Sequence, residues 1–256
     1  MSAESFDFAG ADGQHLSGVL DLPEGPPRGV ALFAHCFTCT KNSVAAVRVA
    51  RAMAAKEIAV LRFDFTGLGR SEGDFADSTF SGSMRDLVAA ANALAQRLAA
   101  PSLLVGHSLG GAAMLAAAAD MDSVKAVATI GAPFDAGHVK HLLVDGLQAL
   151  EREGEAEVSI GGRRFRLRRT FLEDLRRHDP AARIRALRRP LLVLHSPRDD
   201  TVDIANAAAI FQAARHPKSF VSLDGADHLL TRRPDADYTA EVIAAWAARY
   251  LVPVLA

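Results

Sequence analysis

An α/β fold is predicted, with a mostly parallel sheet of eight strands, helices on both faces and a small cap insertion. Three observations predict it. Short, continuous apolar runs alternate with segments of helical periodicity, the pattern of a parallel sheet buried on both sides. A G-x-S-x-G pentapeptide, Gly106-His107-Ser108-Leu109-Gly110, falls where one such run gives way to a helix. The alternation lapses only once, between Pro133 and Arg189, and then resumes.

The elements follow in chain order. Phe6 to Phe8, a turn at Gly10–Gly13 and Leu16 to Leu20 read as an opening hairpin, which Pro23, Gly25, Pro26 and Pro27 terminate. Gly29 to His35 is a buried strand and Ser43 to Lys56 an alanine-rich helix. Ile58 to Phe63 is the next strand, followed by a glycine-rich loop and a helix over Met84 to Leu98. Pro101 to Val105 runs into Gly106 and the helix Leu109 to Ala119, and Val124 to Ile130 is a further strand. In the interruption, His138 to Arg152 reads as one helix. Glu157 to Leu167 reads as a hairpin turning at Gly161-Gly162, because apolar and polar residues alternate on both sides, and Thr170 to Arg177 as a short helix. This stretch, about 134–189, is expected to be a cap inserted into a single domain spanning 1–256. Leu191 to Leu194, a helix near Val202 to Arg215, a strand at Ser219 to Leu223 and a helix over Tyr238 to Tyr250 complete the pattern. Right-handed crossovers bring the carboxyl ends of the parallel strands to one edge of the sheet, where ligands bind.

Bulk properties narrow the function. With 50% hydrophobic and 23% charged residues among 256, the chain suits one well-buried core. A formal charge of -1 gives no field to draw in nucleic acid or an anionic membrane. No segment supplies the roughly 20 apolar residues of a membrane span, and the start, Met-Ser-Ala-Glu-Ser-Phe-Asp, is no secretory signal. Cys36 and Cys39 are too close to staple distant parts of a fold. A cytoplasmic protein stabilised by its core is expected.

The pentapeptide carries the chemistry. Between a strand and a helix it forces the serine into a strained turn that exposes the hydroxyl, and it points the helix N-terminus at the place where an oxyanion forms. A serine hydroxyl is a weak nucleophile until a base takes its proton. Such a sheet places an acid after a later strand and a histidine after the last, in the order Ser, Asp, His. Asp199 and Asp200 follow Leu191–Leu194, and Asp199 is favoured on motif spacing; His228 follows the last strand. The expected catalytic residues are therefore Ser108, Asp199 and His228. Asp224 and Asp227 read as turn and cap residues.

Together these motifs resemble the α/β-hydrolase superfamily over essentially the whole chain. His35-Cys-Phe-Thr is similar to the family's H-G-F-x loop, with Cys36 at the glycine position, and the resemblance implies backbone N–H donors at Phe37 and Leu109 for an oxyanion hole. Phe63 to Ser71 resembles the D-x-x-G-x-G-x-S loop, in which Asp64 and Ser71 are read as structural. His35–Lys41 and Asp224–Arg233 further resemble the hydrolase half of bacterial proteins fused to an OsmC-like peroxide-reducing domain, although this sequence stops at Ala256, as a stand-alone relative or a separate domain would.

The resemblance implies a serine hydrolase that cleaves small to medium carboxylic esters through an acyl-enzyme, with no cofactor and no metal. A thioesterase or amidase with the same three residues, or a non-catalytic module serving an OsmC-like redox partner, are the alternatives. Cys36 and Cys39 carry two readings, a redox switch at the oxyanion loop or two small residues filling a tight turn. His138 and His141 are read as a packed or solvated pair, His107 and His195 as packing residues, and the arginines between Arg163 and Arg189 as a solvated surface. Phe134, Leu142, Leu143, Leu147, Phe165 and Phe171 are candidates for an apolar acyl pocket, with an ordinary cap core as the other reading.

Overall fold

The first strand, β1 (Ser2–Ser5), has every residue exposed and no alternation, so nothing in its sequence announces it. The computed structural model describes residues 1–160, 162–252 and 254. Strands β2 (Phe8–Ala9) and β3 (His15–Leu16) make a short antiparallel ribbon. The opening hairpin is thus shorter than expected, because the chain bends at Gly18, where a Cβ would lie 2.6 Å from the Phe6 carbonyl oxygen. Strand β4 (Gly18–Leu22) leaves the ribbon and pairs antiparallel with β1. Then come β5 (Gly29–Ala34), α1 (Val44–Ala54), β6 (Ile58–Phe63), α2 (Phe80–Arg97), β7 (Leu103–His107), α3 (Leu109–Ala117) and β8 (Ala126–Ile130).

The expected cap segment holds a 3-10 run (Ala136–Leu142), α4 (Leu147–Glu153), the hairpin β9 (Glu155–Ile160) and β10 (Arg163–Arg168), α5 (Arg169–Leu175) and α6 (Pro180–Ala186). After it the chain returns through β11 (Leu191–His195), α7 (Ala205–Ala213), β12 (Lys218–Ser222) and α8 (Arg233–Ala247). The eight-stranded sheet has the order β1-β4-β6-β5-β7-β8-β11-β12. Its first two strands run antiparallel and the other six are mutually parallel.

All residues of β5, β6, β7, β8 and β11 are buried, as their continuous apolar runs require. Two apolar clusters cover the faces. One joins β5 and β6 to α2, α3 and the cap through residues such as Leu61, Leu87 and Met114; the other packs α1 and α8 through Val49, Met53 and Ile243.

Several helices depart from expectation at their ends. The predicted helix His138–Arg152 is two pieces. It breaks at Gly146, where a Cβ would meet Val158 Cγ1 at 2.5 Å, so the hairpin strand presses too close for a continuous helix. Helix α2 starts before Met84, because Thr79 Oγ1 accepts the Gly82 N–H at 2.9 Å and caps it at Phe80. Helix α8 starts at Arg233 with Pro234 in its first turn, five residues ahead of the expected Tyr238. Helix α6 was not expected at all; Asp179 caps it by accepting the Ala182 N–H at 2.9 Å. The hairpin of the cap is as expected in its two strands, while its turn at Gly161 lies outside the described residues.

Buried charges fix the loops at the sheet edge. Asp64 (1% exposed) pairs with the Lys41 ammonium, accepts the Lys41 N–H at 2.7 Å and accepts the Arg70 N–H at 3.0 Å. Beside it Arg62 donates to Asp21 at 2.7 Å and to the Lys41 carbonyl at 2.6 Å. Ser71 Oγ donates to the Asp64 carbonyl, so the expected structural role of both residues fits their contacts. Asp64→Ala would leave Lys41 as a buried cation without its partner, a loss of about 3–5 kcal/mol. Urea denaturation should show the midpoint falling accordingly; an unchanged midpoint would mean that Lys41 reaches water instead.

Candidate active site

The strand-to-helix turn at Ser108 is built from a lack of side chains. A Cβ on Gly106 would lie 2.5 Å from Gly111 Cα and 2.6 Å from the Gly110 carbonyl oxygen, so β7 and α3 meet backbone to backbone. Ser108 itself takes φ 54° and ψ -129°, a region costing a non-glycine residue about 1–3 kcal/mol. Its N–H donates to the Ile130 carbonyl at 2.9 Å, which anchors the turn to β8. The Ser108 side chain is thereby lifted above the carboxyl edge of the sheet at the N-terminus of α3.

Three expected residues come together there. Ser108 Oγ lies 3.0 Å from His228 Nε2, and His228 Nδ1 lies 2.8 Å from Asp199 Oδ2. Ser108 and His228 are 8% and 7% exposed, so the chain is shielded but reachable. Asp199 also accepts the N–H groups of Thr201 at 3.0 Å and Val202 at 2.8 Å. Burial alone would raise its pKa, but the hydrogen bonds from His228, Val202 and Thr201 prevail and hold it below the ordinary carboxylate value. An ionised Asp199 requires the proton on His228 Nδ1 and leaves Nε2 free to take one from Ser108. Asp200, the other reading of the acid, is exposed and among the described residues meets only the Thr201 hydroxyl, at 3.2 Å. Asp227 accepts the Thr231 N–H at 2.9 Å, a capping contact, and Asp224 accepts from Ser222 within its turn.

Phe37 lies in the loop after β5, and Leu109 is the first residue of α3, next to the serine. Among the described residues neither backbone N–H has a partner within the chain. The Phe37 ring stacks on Phe171 of α5 at 5.4 Å and meets Phe75 at 5.5 Å, while Arg163 of β10 donates to the Thr38 carbonyl at 3.1 Å. The cap therefore holds the loop that carries Phe37. Cys36 and Cys39 are disulfide-linked within that loop, with Cα atoms 5.3 Å apart.

Other residues near the site play supporting parts, and Gly131 is one that drew no reading from the sequence. Gly131 has φ +54°, and a Cβ there would lie 3.1 Å from Asp199 Oδ2. His195 Nε2 donates to the Val202 carbonyl at 2.8 Å, closing the loop that turns Asp199 back. His107 Nε2 donates to the His228 carbonyl at 2.7 Å. His138 Nε2 donates to the Thr201 carbonyl at 2.9 Å, with the His141 ring 5.3 Å away, so this pair packs against the acid loop. The cap arginines face acids of the same chain, among them Arg166 with Asp74 at 2.8 Å and Arg164 with Glu157 at 3.0 Å. Of the six apolar cap candidates, Phe171 alone lines the pocket beside Phe37 and Leu109; Leu143, Phe165 and the others pack in or against the core.

Burial, then the neighbouring His228, pushes the His107 pKa down from 6.5 to about 3. The folded state thus resists a proton that the unfolded chain accepts, so stability is full above pH 6.5 and declines as pH falls toward about 3. The expected loss across that window is on the order of 5 kcal/mol. His35, also buried and lowered, acts in the same sense. Urea melts of wild type and His107→Gln across the window should show a shallower decline in the variant, and parallel declines would refute the assignment.

The model described as "Alpha/beta hydrolase family" matches residues 31–241. The solved esterase domain of a Rhodothermus marinus protein is 50% identical, with a TM-score of 0.80 over 98% of this chain and 99% of that one. Mouse mitochondrial palmitoyl-protein thioesterase ABHD10 is 28% identical over 182 residues, 67% of this chain. The match spans 59% of that curated relative's length. The mouse alpha/beta hydrolase domain-containing protein 10 structure gives a TM-score of 0.78 at 21% identity over 96% of this chain and 99% of that one, a likeness of fold.

Proposed function

Because this chain belongs to the alpha/beta hydrolase family, we propose that it is a serine hydrolase that cleaves small to medium carboxylic esters through an acyl-enzyme. The observation that carries the reading is the hydrogen-bonded line from Ser108 through His228 to Asp199, with the serine on a strained strand-to-helix turn. The similarity to a solved esterase domain at 50% identity supports the same chemistry.

In this mechanism Ser108 Oγ attacks the ester carbonyl carbon as His228 Nε2 takes its proton. The carbonyl π pair moves onto oxygen, and the N–H groups of Phe37 and Leu109 stabilise the resulting oxyanion, aided by the N-terminal end of α3. The pair returns, the C–O bond to the alcohol breaks, and the alcohol oxygen takes the proton from His228. Water repeats the sequence on the acyl-Ser108 intermediate, giving the acid and restoring the serine. Asp199 keeps the imidazole in the required tautomer and offsets the imidazolium charge. No step calls on a cofactor or a metal.

Thioester hydrolysis is the second reading, favoured by the similarity to a protein named palmitoyl-protein thioesterase. The same groups serve it, with a thiol as leaving group. Oxygen and thioesters of one acyl chain, assayed side by side, separate the two by their kcat/KM ratio.

A fluorophosphonate probe should label the wild type and leave Ser108→Ala unlabelled. No labelling of folded wild type would sink the hydrolase reading in favour of a non-catalytic module serving a redox partner. Asp199→Asn should lower kcat by about 10⁴-fold through the wrong histidine tautomer, whereas Asp200→Asn should stay near the parent rate. The reverse pattern in steady-state kinetics would transfer the role to Asp200.

A further inference from the structure

A pocket enclosing about 740 Å³, mouth included, opens beside the nucleophile, bordered at one end by Phe37, Leu109 and Gly110. Ser108 directly precedes Leu109 at that end, and none of Ser108, His228 and Asp199 is itself among the walls. This position points to the half of a substrate that goes there. The departing alcohol must come within hydrogen-bond reach of His228 Nε2 to take its proton, so the space on the oxyanion side, away from His228, receives the acyl group.

Much of the pocket is aromatic, from Phe65, Phe75, Phe80 and Phe171. One patch is not. Gln14, Thr66 and Asp86 also line it, and they form a closed set of hydrogen bonds. Thr66 donates its N–H and its hydroxyl to Asp86 Oδ2 at 3.0 and 2.8 Å, and Gln14 Nε2 reaches Asp86 Oδ1 at 3.2 Å and Thr66 Oγ1 at 2.7 Å. Asp86 is 3% exposed. Its neighbour Arg85 is turned to Asp12 at 3.3 Å, and among the described residues Asp86 makes no salt bridge. Burial pushes its carboxyl pKa up, against the hydrogen bonds from Thr66.

A carboxylate accepts about four hydrogen bonds. Oδ2 already takes two and Oδ1 takes one from the chain, so Oδ1 keeps an acceptor position open. A hydrocarbon chain filling the pocket would offer the open acceptor nothing, whereas a donor on the chain would give it a hydrogen bond. A hydroxyl suits it better than an ammonium. The negative charge is already spread over neutral donors, and an ammonium would have to shed its water among phenylalanines.

We propose that the site selects acyl groups that carry a hydroxyl, which donates to Asp86 Oδ1 with Gln14 and Thr66 holding the carboxylate in place. The inference rests on the acyl-ester reading above and adds the substrate class to it. Asp86 is here a specificity residue and takes no part in bond making.

The test uses p-nitrophenyl esters of hexanoate, octanoate and decanoate, each beside its ω-hydroxy and ω-amino counterpart, with fluorophosphonate labelling of Ser108 run in parallel. At the chain length that spans the pocket, the ω-hydroxy ester should exceed the plain ester in kcat/KM by about tenfold. Asp86→Leu should bring that ratio to one or below. The wild-type comparison stands by itself should this variant fail to fold. Equal or lower kcat/KM for the hydroxy esters at every length, with Ser108 labelled, would overturn the specificity and leave the hydrolase reading intact. A preference for the ω-amino esters would overturn it too, making Asp86 a cation site. Absent labelling would take down the ester reading and this inference together.

Discussion

The arrangement depends on one constraint, the backbone contact between the end of β7 and the start of α3. Where Gly106 faces Gly110 and Gly111 there is no room for a side chain, and the chain can only turn with Ser108 in a positive-φ conformation. The neighbouring loops are then placed against this turn. Ser108 N–H holds the end of β8 through Ile130. A Cβ on Gly110 would strike the carbonyl of His35, so α3 also sits hard against the loop that carries Phe37. His107 holds the histidine loop through the His228 carbonyl. Three residues within four positions, His107, Ser108 and Gly110, thus reference three loops from distant parts of the chain to one point, and a strain of about 1–3 kcal/mol is small beside that positional gain.

A second layer of constraint is electrostatic. Burying Lys41, Asp64, Arg62 and Asp21 together costs desolvation, and ion pairs so placed contribute little net stability. What they contribute is definition. Asp64 takes donors from the Phe37 loop through Lys41 and from its own glycine-rich loop through Arg70, so the two loops cannot drift independently. From the other side Phe37 stacks on Phe171, and Arg163 holds Thr38. The cap is itself clasped to α2, since Ser81 donates its N–H and hydroxyl to Asp174 at 2.8 and 2.7 Å. The loop whose Phe37 N–H has no partner among the described residues is gripped from the sheet below and from the cap above, the preorganisation that the proposed oxyanion role calls for.

How much of this was legible in the sequence follows from the range of the forces involved. The parallel strands were readable because burial on both faces demands unbroken apolar runs such as Leu191–Leu194, and the serine turn because only glycines permit it. The meeting of Ser108, Asp199 and His228 was foreseeable from chain order, since the sheet topology fixes which strand ends are neighbours. The cap was less readable. One of its helix ends depends on a tertiary contact, Gly146 against Val158, that periodicity does not encode, whereas Asp179 over Ala182 is a local cap that Asp179-Pro180 could have announced. Strand β1 is wholly exposed and pairs only through its backbone. Asp86 was invisible for a related reason. Its place in a helical repeat reads as an ordinary charged position, and only the fold sets Gln14 and Thr66 against it.

The histidines show how one residue type is sorted into different tasks. Nine occur in the chain, and four lie buried at or just beyond the strand ends. His35 spends Nδ1 on the Cys36 carbonyl, His107 spends Nε2 on the His228 carbonyl, and His195 spends Nε2 on the Val202 carbonyl. A carbonyl can only accept, so each of these rings is fixed as a donor at that nitrogen, a task a neutral imidazole performs. For His107, burial with a pKa of about 3 keeps it so. His228 alone among them sets one nitrogen against a carboxylate and the other against a hydroxyl. That pairing lets a proton arrive at Nε2 while Nδ1 keeps its own. The capacity for proton transfer therefore lies in the chemical sign of the partners, and it is the strand-end geometry that assigns those partners.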